Sequence, residues 1–442
     1  MRIKLSDHFT LKRLLKFVFP SIIMMIIISI YGVIDGFFVS NYVGKSAFSS
    51  LNLVMPFIMI LGGMGFMIGT GGSALVSKTL GQKENEKANK IFSMMIVFTT
   101  ILGLILSIIG IIFIRPVSYL LGASDEMIDN CVLYGRIVTS FTALFMLQNV
   151  FQSFLATAEK PKIGLIVTIA AGTTNAVLDY LFVAVFNFGL AGAAVATGIG
   201  QVVGGLIPLI YFILPNDSLL KLVKTKLSIK ELLAACANGS SELMSNVSSS
   251  IVGMVYNLQL MKYIGEDGVA TYGVLMYVQF VFVATFIGYS IGTAPIVGYN
   301  YGATNYDELK NVRKKSIAIM FTTGITLSII AQLLAGTLAK IFVGYDQNLY
   351  VLTVHAFRIF SFAFILTGFN IFSSSFFTAL NNGAISALIA FLRTLVFQLG
   401  SVLMLPLIIS VDGIWLAICV AEVFATAISL FFMITKQKVY HY

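Results

Sequence analysis

Apolar residues in this chain gather in long runs rather than in alternation. A helix needs about 20 apolar residues to cross a bilayer. Twelve runs of that order follow one another, at roughly 14–40, 47–78, 88–114, 127–158, 162–186, 190–214, 229–262, 269–301, 309–339, 348–380, 384–409 and 413–435. Short breaks containing Gly, Asn, Asp or Lys separate them. None alternates with period two over about ten residues, which disfavours a transmembrane β-barrel. The pattern predicts an all-α polytopic membrane protein with twelve transmembrane helices.

Composition makes lipid the solvent for most side chains. The chain is 58% hydrophobic and 11% charged, with mean hydropathy +0.94, where a soluble domain carries about 25% charged residues. A net charge of +9 over 442 residues could point to nucleic acid, but the placement of the cations argues against that partner. With the N-terminus inside, 21 of the 28 Lys and Arg residues fall on inner segments, from Arg2, Lys4, Lys12, Arg13 and Lys16 at the start to Lys436 and Lys438 at the end. The outer loops receive only Lys45, Arg115, Lys262 and Lys340. This bias puts both termini in the cytoplasm and requires an even number of spans. The charged start runs into a full-length span with no small-residue cleavage site, so an uncleaved first helix is expected. Cys131, Cys236 and Cys419 show no pairing or metal-ligand spacing.

The halves resemble each other at an offset of about 221 residues. Gly71 matches Gly292, and Leu80-Gly81 matches Tyr301-Gly302. Arg136-Ile137 matches Arg358-Ile359, and the run from Gly192 to Ala196 matches that from Gly413 to Ala417. Two pseudo-symmetric six-helix bundles are implied, 1–215 and 229–442, joined by a polar cytoplasmic linker at 216–228. Such repeats place a substrate path at their interface.

Ionisable groups in mid-span are costly and are functional candidates for that reason. Asp35 lies in the first helix between Gly32 and Gly36. Asp179 lies in the fifth, four residues after Asn175, so both share a face. Thr197 adds a hydroxyl from the sixth helix. A carboxylate stripped of water resists staying charged, and a second one nearby adds repulsion. The pair can take up a proton or ligate Na⁺; buried acids satisfied by hydroxyls or arginines would serve structure alone. Glu242 sits in a polar stretch of the seventh helix with Asn246, which suggests a water-filled cavity. Gln148, Asn149 and Gln152 on the fourth helix either line a cavity of the first bundle, as part of the substrate path, or bond across helices. Glu422 could join it or pair with one of the mid-span arginines, Arg136, Arg358 and Arg393, which read as structural. Pro20 bends or hinges the first helix, or shapes its entry.

These features together resemble the multidrug and toxic compound extrusion (MATE) family over essentially the whole chain. The resemblance is carried by Pro20, the stretch from Ile30 to Val43 with Asp35, and the Asn175–Asp179 pair. The run from Gly189 to Thr197 and Gly-Tyr-Asn-Tyr-Gly from Gly298 to Gly302 complete it. It implies alternating access and H⁺- or Na⁺-driven export of cationic, aromatic compounds, with no other cofactor. It also implies a cation site at Asp35, Asn175, Asp179 and Thr197, with Tyr31 beside it. An acid on the seventh helix, used in part of the family, falls on Glu242. Its companion on the tenth helix is missing, which shifts the expected cation site to the first bundle.

The expectation is thus an antiporter of the plasma membrane, monomeric, acting on small cationic or aromatic amphiphiles. The rivals are a lipid-linked oligosaccharide flippase of the same fold and a receptor or scaffold without a transport cycle. No nucleophile–base pair, HExxH or P-loop argues for an enzyme.

Overall fold

Each apolar run becomes a helix in the computed structural model, which describes residues 3–442. The first bundle comprises α1 (Leu11–Phe38, ending in a π-helical turn, Val39–Val43), α2 (Lys45–Gly81), α3 (Asn85–Leu120) and α4 (Ile128–Ser140 and Thr142–Thr157). It is completed by α5 (Pro161–Asp179, running on as a π turn, Tyr180–Val185) and α6 (Gly189–Ile213). The second comprises α7 (Ile229–Tyr263), α8 (Glu266–Gly302), α9 (Tyr306–Val343), α10 (Gln347–Phe360 and Phe364–Ala379), α11 (Gly383–Phe391 to Pro406–Ile409, through a π segment, Leu392–Gln398) and α12 (Val411–Thr435).

Ten of these helices are long and apolar enough to cross a bilayer individually, and the two pieces of α4, bent by 54°, make an eleventh. The twelfth, α7, carries too many polar groups to qualify by apolarity. Several of them are satisfied within the protein. Asn238 donates to the Thr378 carbonyl of α10 at 2.8 Å, while Asn246 and Ser250 bond back to the preceding turn at 2.9 and 3.1 Å. A polar helix can stay at membrane depth when its groups are paired in this way.

Most cations that the pattern places in loops sit on helix ends that extend past the apolar runs. Arg115 is not in an outer loop but in the last turns of α3, where it pairs with Asp129 at 2.7 Å. Lys78 lies in the last turn of α2, and Lys87 and Lys90 in the first turns of α3. Arg2 and the Lys45 side chain lie outside the described residues.

The bundles meet along α1 against α8 and α2 against α7 and α8. Contact is closest near the α2–α3 and α8–α9 loops. There a Cβ on Gly81 would stand 2.1 Å from the Tyr299 carbonyl oxygen, and about three turns further into the bundles Gly71 and Gly239 are mutually required: a Cβ on Gly71 would stand 1.9 Å from the Ala235 carbonyl oxygen, and one on Gly239 1.9 Å from that of Met67. Only glycine allows two helix backbones this close. At the opposite end the helices part. Gly32 of α1 and Gly253 of α7 have nothing within 4 Å of where a side chain would begin. The tight inter-bundle glycine contacts thus lie toward one end of the molecule, its closed end.

Two irregular segments cross the closed end. Residues 3–10 bridge the bundles, with Leu5 and Phe9 fully buried. The Leu5 N–H donates to Glu159 between α4 and α5 at 2.8 Å, and the Phe9 N–H donates to Glu308 of α9 at 2.9 Å. The segment between α6 and α7 is also ordered, and lies against α3: Asn89 and Ser93 accept the N–H groups of Lys221 and Val223, each at 2.9 Å.

Candidate functional site

The two acids of the first bundle lie where their helices change pitch. The α1 backbone passes into a π turn four residues after Asp35, and α5 does so immediately after Asp179. The two π turns pack on each other, with the rings of Phe38 and Tyr180 6.5 Å apart. Single π turns inside α-helices are frequent at functional sites because they re-aim side chains.

Asp35 is 5% exposed, Asp179 fully buried and Asn175 9% exposed. The acids are close enough to interact electrostatically. Thr197 Oγ1 of α6 reaches Asp35 Oδ1 at 3.5 Å, a long and weak hydrogen bond. Both Asp179 carboxylate oxygens and the Asn175 amide nitrogen lack a well-formed partner. Among the described residues neither acid forms an ion pair with Lys or Arg. Unpaired carboxylate at this depth is expensive, and its oxygens, with those of Asn175 and Thr197, are donors suited to a proton or a small hard cation. The structure therefore brings Asp35, Asn175, Asp179 and Thr197 together.

Tyr134 also belongs to this cluster, and the sequence offered no signal for it. It is fully buried on α4, its hydroxyl has no well-formed partner, and it lies beside Thr197, Asp35 and Asp179. A tyrosine among apolar neighbours reads as core until its contacts are known.

The other candidates are spread around this cluster. Tyr31 crosses from α1 to α5, donating to the Ile169 carbonyl at 3.3 Å, and its ring occupies the space over Gly172, where a Cβ would stand 1.6 Å away. Gln148 packs on Gly204 of α6, and the Gln152 side-chain oxygen is buried without a partner. Asn149 is 2% exposed and donates to the Gly62 carbonyl of α2 at 3.1 Å, the cross-helix role. Glu242 and Asn246 belong to the other bundle, with Asn246 facing Gly63 across the α2–α7 seam. Pro20 is buried far from the acids, next to Ser21 and Ile22, whose backbone packs on Gly288 of α8.

Glu422 differs from the first-bundle acids. Its carboxylate receives Arg393 Nη2 at 2.7 Å and Nε at 3.0 Å, and the Asn370 amide at 2.7 Å. It is the ion-paired alternative, supplied by α11. Arg136 and Arg358 are exposed.

Known proteins group the chain in the same way. One family model, MatE, matches it twice, over residues 20–181 and 243–402. The chain belongs to the MATE family. The double match, one copy per bundle, is the duplication seen in the internal offset. Relatives of this MATE chain include the multidrug export protein MepA of Staphylococcus haemolyticus, 25% identical over 435 residues, 97% of this chain and 94% of that protein. MepA of Staphylococcus saprophyticus is 27% identical over 326 residues, 71% of this chain and 72% of its own. Among solved structures, a MATE protein in complex with MaL6 superposes with TM-score 0.93 at 22% identity, covering 98% of both chains. A MATE protein in the bent conformation superposes with TM-score 0.90 at 21% identity, covering 99% of this chain and 97% of that one. These likenesses establish the fold.

Proposed function

We propose that this MATE protein is a multidrug exporter of the plasma membrane. It would couple outward movement of cationic or aromatic amphiphiles to inward movement of H⁺ or Na⁺ by alternating access. The observation that carries this reading is the pair Asp35 and Asp179, buried in the first bundle with no Lys or Arg to neutralise either among the described residues. Uptake of one cation removes a large local repulsion, and so favours a different arrangement of the two π turns that bear the acids. The export activity named for the MepA relatives supports the substrate class.

The cation bias orients the molecule, with both termini and the closed end in the cytoplasm. In that orientation the tight contact between the bundles lies inside, which fits a state that releases substrate outward and receives the coupling cation. A substrate admitted between the bundles would meet Glu242 and Asn246 on the second-bundle side. Carboxylate and aromatic faces both attract organic cations.

The test is efflux of a fluorescent cationic dye from vesicles with pH and Na⁺ gradients imposed separately. One gradient should drive export in the natural protein, and neither should do so in Asp35→Asn or Asp179→Asn. Full gradient-driven export in both variants would sink the coupling role.

A further inference from the structure

A second polar site lies away from the acids, where the inter-bundle segment runs along α3. The cavity there holds about 510 Å³, and Lys87 and Lys90 of α3 with Lys224 and Lys226 of the segment converge on it. Glu231 of α7 and Met94 of α3 complete the wall. Glu84 pairs with Lys87 at 3.0 Å, and Glu86 shares the first turn of α3, so the four ammonium groups outnumber the three carboxylates Glu84, Glu86 and Glu231 by one. The cavity is held in shape by the bonds that fix the segment. Besides the two from Asn89 and Ser93, the Thr225 hydroxyl donates to the Lys90 carbonyl at 3.0 Å.

The flank of this basic cavity is apolar and uncovered. Leu227 is 65% exposed, Ile229 64% and Leu233 62%. Three large aliphatic side chains beside four lysines would be poorly placed against water. They are well placed against acyl chains at the boundary of a bilayer. Basic cavities at the cytoplasmic ends of transmembrane helices suit phospholipid headgroups, which accept several charge-assisted hydrogen bonds on one phosphate.

We propose that this cavity binds the phosphate of an anionic phospholipid of the inner leaflet, with its acyl chains along Leu227, Ile229 and Leu233. The site rests on the orientation proposed above, and not on export. Its walls come from the first bundle, the connecting segment and α7, so an occupied site braces the two bundles in the closed-inside arrangement. Inorganic phosphate offers the same headgroup chemistry without the chains, and separates the two sources.

The purified full-length protein, in neutral detergent, is titrated with phosphatidylglycerol, with phosphatidylcholine of the same chains, and with inorganic phosphate, while its melting temperature is followed. Phosphatidylglycerol should raise the melting temperature saturably, and the other two should not. In Lys87→Gln/Lys224→Gln/Lys226→Gln the midpoint of the phosphatidylglycerol response should weaken about tenfold or more, each lysine near an anionic surface being worth roughly fivefold. Lys310→Gln/Lys314→Gln, which removes exposed cations from the start of α9, should respond like the natural protein. An equal response from the triple variant, an equal loss in the α9 variant, or full stabilisation by inorganic phosphate would each overturn the assignment. Should the triple variant fail to fold, direct counting of bound phosphatidylglycerol by native mass spectrometry on Lys224→Gln and Lys226→Gln singly keeps the test open.

Discussion

The two bundles share one framework, and the acids on α1 and α5 of the first are held in the opposite way from the acid on α12 of the second. In the first, Asp35 and Asp179 face each other with Asp179 unpaired and Thr197 only loosely engaged. In the second, Glu422 is clasped by Arg393 and Asn370. At the offset relating the halves, Asp35 falls on Tyr256, which is fully buried and stacked on Tyr272 at 4.8 Å. A carboxylate with a permanent counterion has no reason to change its charge, whereas one without a counterion gains by accepting a cation. Duplication thus yields a pair of acids in the first bundle that can respond to the medium and, on α12 of the second, an acid held in its ion pair.

The largest expected effects come from exchanging these conditions. Asp179→Asn should bring gradient-driven dye efflux down to background while leaving the melting temperature unchanged or higher, because it removes an unpaired charge. Arg393→Met should do the reverse at the level of stability, since breaking a buried pair strands Glu422 at a cost of about 3–5 kcal/mol. Arg393→Met/Glu422→Leu should recover most of that loss in thermal melts. If Arg393→Met melts like the natural protein and yet abolishes efflux, the second bundle is no passive partner and the contrast fails.

A smaller effect is expected where the two bundles touch. Gly71→Ala puts a methyl against a backbone carbonyl that cannot rotate aside, and overpacking of this kind costs about 1–3 kcal/mol. The strain is relieved if the closed end separates. Distances between spin labels on the α2–α3 and α8–α9 loops should therefore lengthen in a substantial fraction of molecules. A distribution identical to that of the natural protein would mean the glycine pair does not hold the seal.

The sequence was informative in proportion to how local the cause was. Span positions followed from apolarity alone, because each helix must meet lipid on its own. For α7 the apolar run was the most polar of the twelve, and the alternation of cations supported its place. The acid cluster was legible because charge at membrane depth is conspicuous. Tyr134 was not, because nothing on α4 distinguishes a tyrosine that joins acids from one that packs against leucines. Asn149 was ambiguous until its bond to Gly62 appeared, and the Glu422 partner was open among three arginines until the π segment of α11 presented Arg393. The ordered course of the inter-bundle segment depends on side chains of α3 about 130 residues away. Polar composition there had suggested only a seam.

Next in size is the contact that steadies α1 against α5. Gly172→Ala would place a methyl 1.6 Å from the Tyr31 ring. The ring must swing out and give up its bond to the Ile169 carbonyl, a net loss of about 1 kcal/mol. Tyr31→Phe removes the same hydrogen bond without moving the ring. Dye efflux should fall further in Gly172→Ala than in Tyr31→Phe if ring position is what matters. Equal losses would assign the effect to the hydroxyl.

The smallest effect should come from Thr197, and it discriminates between modes of cation uptake. Its bond to Asp35 is long, so Thr197→Ala should cost about 0.5–1.5 kcal/mol or less in stability. If Na⁺ is the coupling ion, the hydroxyl oxygen is one of few neutral donors near the acids, and Thr197→Ser should restore what Thr197→Ala loses in the Na⁺ concentration for half-maximal efflux. If the ion is a proton, no oxygen shell is needed, and the same pair of variants should shift the pH midpoint of efflux little or not at all. The adjacent Tyr134 sharpens the comparison: Tyr134→Phe keeps the ring packing and deletes a second hydroxyl from the same cluster. A Na⁺ dependence that weakens in both Thr197→Ala and Tyr134→Phe, and further in the double variant, would mark a shell of oxygens around a metal cation. Insensitivity in all three would leave the two carboxylates alone as the seat of the charge change, which is what proton coupling requires.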